Sequence, residues 1–207
     1  MNDFYLKASD WDQDPMHVKR SLSVANGIME AIPHPGDMAA LEYGSGTGIT
    51  SFFLKDHFRE ITMMDNSPGM VNVMKENILK SSVPNLKAVL FNLEKDQWEG
   101  SMFDIIITQM VLHHISDYQN ILKIFSSILN PEGYIAIADL YSEDGSFHGE
   151  GFNGHNGFDL GRLSSEICSL GFDIISANKC FSIDKEIPEA GIKRFDLFLL
   201  IARKMNK

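Results

Sequence analysis

Two acidic residues bracket a run of glycines: Glu42-Tyr43-Gly44-Ser45-Gly46-Thr47-Gly48, then Asp65 beyond a second apolar stretch. Glycines permit positive φ and close approach of backbone to a ligand, and a helix that follows aims its unpaired N–H groups at the same place. Such a turn suits a nucleoside-containing ligand. A dinucleotide loop of the form G-x-G-x-x-G beginning at Gly44 needs glycine at position 49, where this chain has Ile49; its third glycine comes one residue early, at Gly48. A carboxylate such as Glu42 is poorly placed beside a pyrophosphate and well placed beside an ammonium group. S-adenosylmethionine carries an ammonium group and no phosphate, so the loop favours it over NAD. Asp65, at the tip of a strand, suits both ribose hydroxyls, a role it would equally fill in an NAD enzyme; its plainer role is a charge at the helix N-terminus ahead of Ser67-Pro68. Asn92-Leu93 follows a third strand, where Asn92 can read an adenine edge and Leu93 can pack its face, or Asn92 can simply make a turn.

A second set of residues carries proton chemistry. His113, His114, Asp139, Tyr141, His148 and His155 fall at or beyond the ends of later strands, where a general base for an acceptor is expected. Each has a structural alternative: backbone hydrogen bonding for His113 or His114, turn capping for Asp139, solvation for His148 and His155. A metal held by these histidines with Asp139 or Glu143 is not expected, because their spacing is wide and irregular. Cys168 and Cys180 make no CxxC or CxxH pattern and read as buried, reduced thiols rather than a disulfide framework or zinc site.

Alternating strands and helices must position these groups. Apolar residues at Val18, Leu22, Val24, Ala25, Ile28, Met29 and Ile32 make a helical stripe ended by Pro33 and Pro35. Strands are expected at Met38–Tyr43, Ile61–Met64, Leu86–Phe91, Phe103–Thr108 and Tyr134–Ala138. Helices are expected from Ile49 to about His57, from Pro68, over Tyr118–Leu129 and over Leu160–Leu170. This alternation implies a parallel sheet covered on both faces. The segments Phe172–Phe181 and Phe195–Ala202 have no helix-length connection between them and fit an antiparallel hairpin at one sheet edge. The glycine-rich segment Tyr141–Asp159 is long for a plain connection and is either a binding loop or disordered.

The 207 residues suit one α/β domain, with no internal repeat or linker, and 44% hydrophobic residues supply an ample core. A formal charge of −10 disfavours nucleic acid as a partner. Neither a signal-peptide pattern nor a membrane-length apolar run is present, and a cytoplasmic protein acting on a small molecule is expected. The oligomeric state is not legible.

The segments Leu41–Gly48, Met64-Asp65-Asn66-Ser67-Pro68-Gly69-Met70, Phe103–Ile106, Val111–Ile115 and Leu129–Tyr134 together resemble the class I S-adenosylmethionine-dependent methyltransferases, in their small-molecule branch. The stretch from Asp139 to His148, with Gly157-Phe158-Asp159, is similar to an uncharacterised subgroup. The resemblance implies a Rossmann-like sheet of seven strands in the order 3-2-1-4-5-7-6, strand seven antiparallel. It implies S-adenosylmethionine as cofactor and S-adenosylhomocysteine as product. Glu42, Gly44 and Gly46, with Tyr43 and Ser45, would surround the methionine end, and Asp65 with Asn66 the ribose. Met70, Asn92 and Leu93 would meet the adenine, and Gln109, Met110 and Val111 would line the sulfonium region. The chain departs from the family pattern at Asn92, where aspartate is frequent, and at Asn130-Pro131-Glu132-Gly133, which replaces Lys-Pro-Gly-Gly. Residues 1–35 would form a helical lid, with Trp11 over the acceptor pocket or packed on the domain surface. The expected reaction is in-line methyl displacement to a small-molecule acceptor; the alternative is a non-catalytic subunit that only binds the cofactor.

Overall fold

Apolar runs flanked by turn residues become strands buried on both faces, and the amphipathic stretches between them become the layers that cover those faces. The computed structural model describes residues 14–206. Its strands are β1 (Ala39–Tyr43), β2 (Glu60–Asp65), β3 (Leu86–Leu90), β4 (Phe103–Gln109), β5 (Leu129–Leu140), β6 (Phe172–Ile187) and β7 (Gly191–Lys204). They form one sheet in the order β3-β2-β1-β4-β5-β7-β6. Pairing is parallel from β3 across to β5, and β7 runs antiparallel to both β5 and β6. This is the expected Rossmann-like topology, and its order reverses between β1 and β4, where a crevice opens at the carboxyl ends of the strands.

Helices α1 (Pro15–Ala31), α2 (Ile49–Leu54), α3 (Pro68–Ser81), α4 (Tyr118–Ile128) and α5 (Leu160–Ser169) start where the sequence supplies a cap. The Asp14 carboxylate accepts from the Met16 N–H at 2.8 Å with Pro15 in the first turn, and the Ser67 hydroxyl faces the Met70 N–H ahead of Pro68. Asp117 and Asp159 cap α4 and α5 in the same way. Successive strand residues point to opposite faces. Ala40, Ile105 and Ile107 therefore meet Val24, Ile28, Leu54 and Met74 of α1, α2 and α3. Leu41, Tyr43 and Ile106 meet Ile121, Phe125 and Ile167 of α4 and α5. No helix among the described residues is long and apolar enough to cross a membrane.

Four expectations change. The turn at residues 130–133 does not precede β5 but lies inside it: Phe103 pairs with Leu129 and Ile105 with Tyr134, so the intervening residues bulge from a strand that already began at Leu129. The hairpin strands run further than their apolar cores, because β6 and β7 pair continuously out to Ile187 and Gly191 through polar, exposed positions. Cys168 is exposed, and Cys180, on β6 at the sheet edge, is only half-buried although it packs against the core. The segment after β5 is an ordered excursion whose ends are tied together: Ser142 donates to Phe158 O, Glu143 to Asn156 O and Phe158 to Leu140 O. The first 13 residues of the expected lid, Trp11 among them, lie outside the described residues; the rest of the 1–35 segment is α1 and the chain that follows it.

Candidate active site

The glycine turn is shaped by contacts that only glycine tolerates. Gly44 has φ of 71° and Gly46 of 58°. A Cβ on Gly44 would lie 2.3 Å from Val111 Cγ2, whereas one on Gly46 would meet nothing within 4 Å. Gly44 is thus packed shut by Val111, and Gly46 faces open space. Asp65 holds the turn from the side: its Oδ2 accepts the Gly46 N–H at 2.8 Å and its Oδ1 the Ser67 N–H at 2.8 Å. A carboxylate has about four acceptor sites, so Asp65 keeps capacity for a further donor. Burial raises the Asp65 pKa, and the backbone N–H bonds oppose the rise.

Glu42 ends β1 beneath the turn and is only 3% exposed. Its Oε2 accepts from the Ser51 N–H at 3.2 Å and from the Ser51 hydroxyl, at the start of α2. Burial nevertheless lifts its pKa to about 7, against the pull of hydrogen bonds from Ser51 and Thr50.

A cavity of about 1030 Å³ runs from this turn along the carboxyl ends of β1 and β4. Small-molecule sites usually hold about 300–1,000 Å³, so there is room for a nucleoside and a second reactant together. Among the sequence-derived cofactor residues, Glu42, Tyr43, Gly44, Ser45, Gly46, Asp65, Asn66, Met70, Gln109, Met110 and Val111 all line it. Asn92 and Leu93 do not. The Asn92 side-chain Oδ1 caps its own turn, accepting from the Glu94 N–H at 2.9 Å, and Leu93 is buried in the core on the α4 side. Glu94 takes the wall position instead.

At the end of β4 the backbone turns sharply. Met110 adopts φ of 57°, unusual for a side-chain-bearing residue, and is held there by its N–H on Ala138 O at 2.8 Å. This swings Val111 over Gly44 and starts a short 3-10 turn, Leu112–His114, that presents His113 and His114 to the cavity. His113 and Asp139 are both fully buried, with Nδ1 and Oδ1 2.6 Å apart. The carboxylate accepts, so Nδ1 carries the proton and the Nε2 lone pair points away from Asp139. His148, from the loop after β5, lies with its Nε2 3.0 Å from His113 Nε2 and its ring stacked on Phe152 at 3.9 Å. Burial and the neighbouring imidazoles lower the pKa values of His114 and His148 to about 4, so both are neutral at pH 7.

The remaining proton-transfer candidates lie elsewhere. Asp139 supports His113 from behind rather than lining the cavity. Tyr141, just beyond β5, packs edge-on against Phe198 at 5.4 Å and does not line the cavity. His155 bonds Ile115 O at 3.0 Å and packs on Tyr118.

Sequence reasoning missed several wall residues. Arg20 of α1 is 6% exposed, lines the cavity, and its Nε finds no partner among the described residues. Burial lowers its pKa to about 10, so the guanidinium stays charged at pH 7. In the sequence it is one more polar residue in an amphipathic helix. The β6 hairpin end supplies Ile183 and Lys185, the latter bonded to Phe147 O and 4.9 Å above the Phe147 ring.

The residues present fit S-adenosylmethionine. Buried Glu42 and Arg20 in one cavity match a zwitterionic amino-acid group, Asp65 keeps acceptor capacity for ribose hydroxyls, and the space beside Gly46 admits a ligand where a side chain is missing. The turn from Gly44 to Thr50 contains no basic residue for a phosphate.

The sequence profile described as "Methyltransferase domain" matches residues 34–148. An uncharacterised methyltransferase, C1347.09 of Schizosaccharomyces pombe, is 32% identical over 119 residues, covering 54% of this chain and 42% of that protein. A polyketide synthase-nonribosomal peptide synthetase, pyiS of Pyricularia grisea, is 31% identical over 170 residues, 78% of this chain and 4% of that one. The chain thus spans less than half the length of these relatives. A crystal structure of a SAM-dependent methyltransferase from Aquifex aeolicus superposes with a TM-score of 0.69 at 17% identity, covering 96% of this chain and 97% of that one, a likeness of fold. With the profile spanning more than half the chain and the sheet, turn and cavity agreeing with it, the chain belongs to the methyltransferase-domain family, whose cofactor is S-adenosylmethionine.

Proposed function

We propose that this protein transfers the methyl group of S-adenosylmethionine to a small organic acceptor held against His113. The observation that carries this reading is one continuous cavity with Glu42 and Asp65 at one end and the imidazoles of His113, His114 and His148 at the other. A protein that only bound the cofactor would have no need of a reactant-sized space beyond it.

When bound, S-adenosylmethionine supplies an electrophilic methyl on a sulfonium whose departure requires no proton. Glu42 and Arg20 would hold the amino-acid end, ammonium to carboxylate and carboxylate to guanidinium, each meeting an opposite charge in a buried setting. Asp65 would accept both ribose hydroxyls, and Met70 would pack on the base. Gln109 is fixed by its Nε2 bond to Ser21 at 2.9 Å, so α1 and the end of β4 move as one wall. Such rigid walls contribute by aligning acceptor and methyl and by excluding water. The His113 imidazole, with its tautomer set by Asp139, takes the acceptor's proton at Nε2 once the acceptor displaces His148 from that lone pair. The similarity to a segment of a polyketide synthase-nonribosomal peptide synthetase supports a small organic acceptor over a macromolecular one, as does the charge of −10 against nucleic acid.

The test is calorimetric titration with S-adenosylhomocysteine and with NAD, followed by a cofactor-turnover screen against metabolite fractions. One-to-one binding of S-adenosylhomocysteine and turnover with a small acceptor are expected. Binding of NAD alone would overturn the reading.

A further inference from the structure

We infer that His113, His114 and His148 form a binding site for a divalent first-row transition cation, with one coordination position open to the cavity. One ring nitrogen from each of these residues lies within 4.8 Å of the others, although His148 is 35 positions from His113 in the chain. A tetrahedral zinc with Zn–N bonds of about 2.0–2.1 Å sets its nitrogens about 3.3–3.4 Å apart. The Nε2 atoms of His113 and His148, now 3.0 Å apart, need to separate only slightly. Three protein ligands with a vacant fourth position is the pattern of sites that bind a reactant, in contrast to closed structural sites.

The support behind the ligands is also that of a metal site. A ligating histidine commonly donates its second ring N–H to a carboxylate, which orients the ring and raises its basicity. Asp139 does this for His113 at 2.6 Å, and is itself fixed by the Leu140 N–H at 2.7 Å and the His113 N–H at 3.3 Å. The His148 ring is set by its stack on Phe152 and an edge contact with Phe147 at 4.9 Å. The loop that carries it is bound to the sheet side by His155 N–H on His113 O at 2.7 Å.

The open position faces the cavity and would take water or an oxygen donor of a ligand bound there. A cation on His113 Nε2 and a proton taken up there exclude each other, so the loaded protein presents a Lewis acid where the metal-free protein presents a base. The inference stands on the three imidazoles and Asp139, independently of the methyl-transfer reading.

The experiment uses tag-free full-length protein stripped with chelator, titrated with Zn²⁺ by calorimetry and with Co²⁺ by visible absorption. One Zn²⁺ per chain is expected, with a Co²⁺ d–d spectrum of tetrahedral intensity. His148→Ala and His114→Ala should each weaken Zn²⁺ binding at least about tenfold, and Asp139→Asn by about 10–100-fold. S-adenosylhomocysteine affinity, measured on the same samples, reports folding of each variant. Absence of stoichiometric Zn²⁺ binding, or binding that neither His148→Ala nor His114→Ala weakens, overturns the site. Zinc binding without S-adenosylhomocysteine binding would leave the site standing and remove the methyl-transfer reading; the reverse result would do the opposite.

Discussion

His113 Nδ1 lies 2.6 Å from Asp139 Oδ1, and both residues are fully buried. The pair joins the turn after β4 to the end of β5 and fixes which nitrogen of His113 faces the cavity. A buried carboxylate in this position also stabilises the imidazolium that forms when His113 accepts a proton.

Replacing Asp139 by Asn keeps the shape and removes the charge. Turnover should fall by about 10²–10⁴-fold, the scale of a lost acid–base contribution, with S-adenosylhomocysteine affinity held within about threefold. Steady-state kinetics beside calorimetry checks this. An equal fall in both would show that Asp139 only supports the fold.

Glu42 gives cofactor affinity a pH dependence. Its pKa in the free protein is raised to about 7, and an ammonium ligand favours the ionised form. Affinity should therefore rise from pH 6 to pH 8 and then level, with proton release on binding below pH 7. Calorimetry in buffers of different ionisation enthalpy measures that release. The free protein shows the opposite trend: with a folded pKa above the unfolded one, it binds more protons than the unfolded chain between about pH 4.5 and 7, so stability declines as pH rises through that window. Glu42→Gln should abolish both trends.

Asp65→Ala should weaken the cofactor by about 1–3 kcal/mol, the cost of losing charged hydrogen bonds. The Gly46 and Ser67 N–H groups would lose their acceptor as well, so a lower unfolding temperature is expected alongside. Unchanged affinity would mean that the ribose binds elsewhere.

The two glycines of the turn should respond differently. Gly46→Ala puts a methyl group into open cavity space, and its main effect should be loss of cofactor binding, with the left-handed φ costing about 1–2 kcal/mol of stability. Gly44→Ala drives a methyl into Val111 and should lower stability further. Thermal unfolding and titration of both variants separate the two outcomes.

Arg20→Met removes a buried charge whose Nε has no partner among the described residues. The ligand-free protein should be no less stable, since burying a guanidinium with an unsatisfied Nε is costly. Cofactor affinity should drop at least about tenfold, the scale of a charged hydrogen bond. A variant that is destabilised yet binds normally would assign Arg20 to the fold alone.

Local features were legible because their causes are local. The turn from Gly44 to Gly48 needs positive φ within a few residues, Ser67-Pro68 is a cap in itself, and strands such as Phe103–Gln109 are apolar enough to be buried wherever they fall. Alternation of elements gave a parallel sheet covered on both faces, and the strand order followed from the family resemblance alone. Asn92 was misplaced because its short side chain satisfies its own turn as readily as a ligand, and only the folded backbone decides between them.

The amino-acid order alone determined the alternating strands and helices, the glycine turn and the two carboxylates, since each is set by short-range sterics, periodicity or capping. Only the tertiary structure decided that His148 meets His113, that Arg20 turns its charge into the cavity, and that the β6 hairpin end overhangs it. Those meetings depend on closing a long loop and on the direction in which a helix face is turned. No periodicity records either, because free energy gained across the whole packed domain selects them.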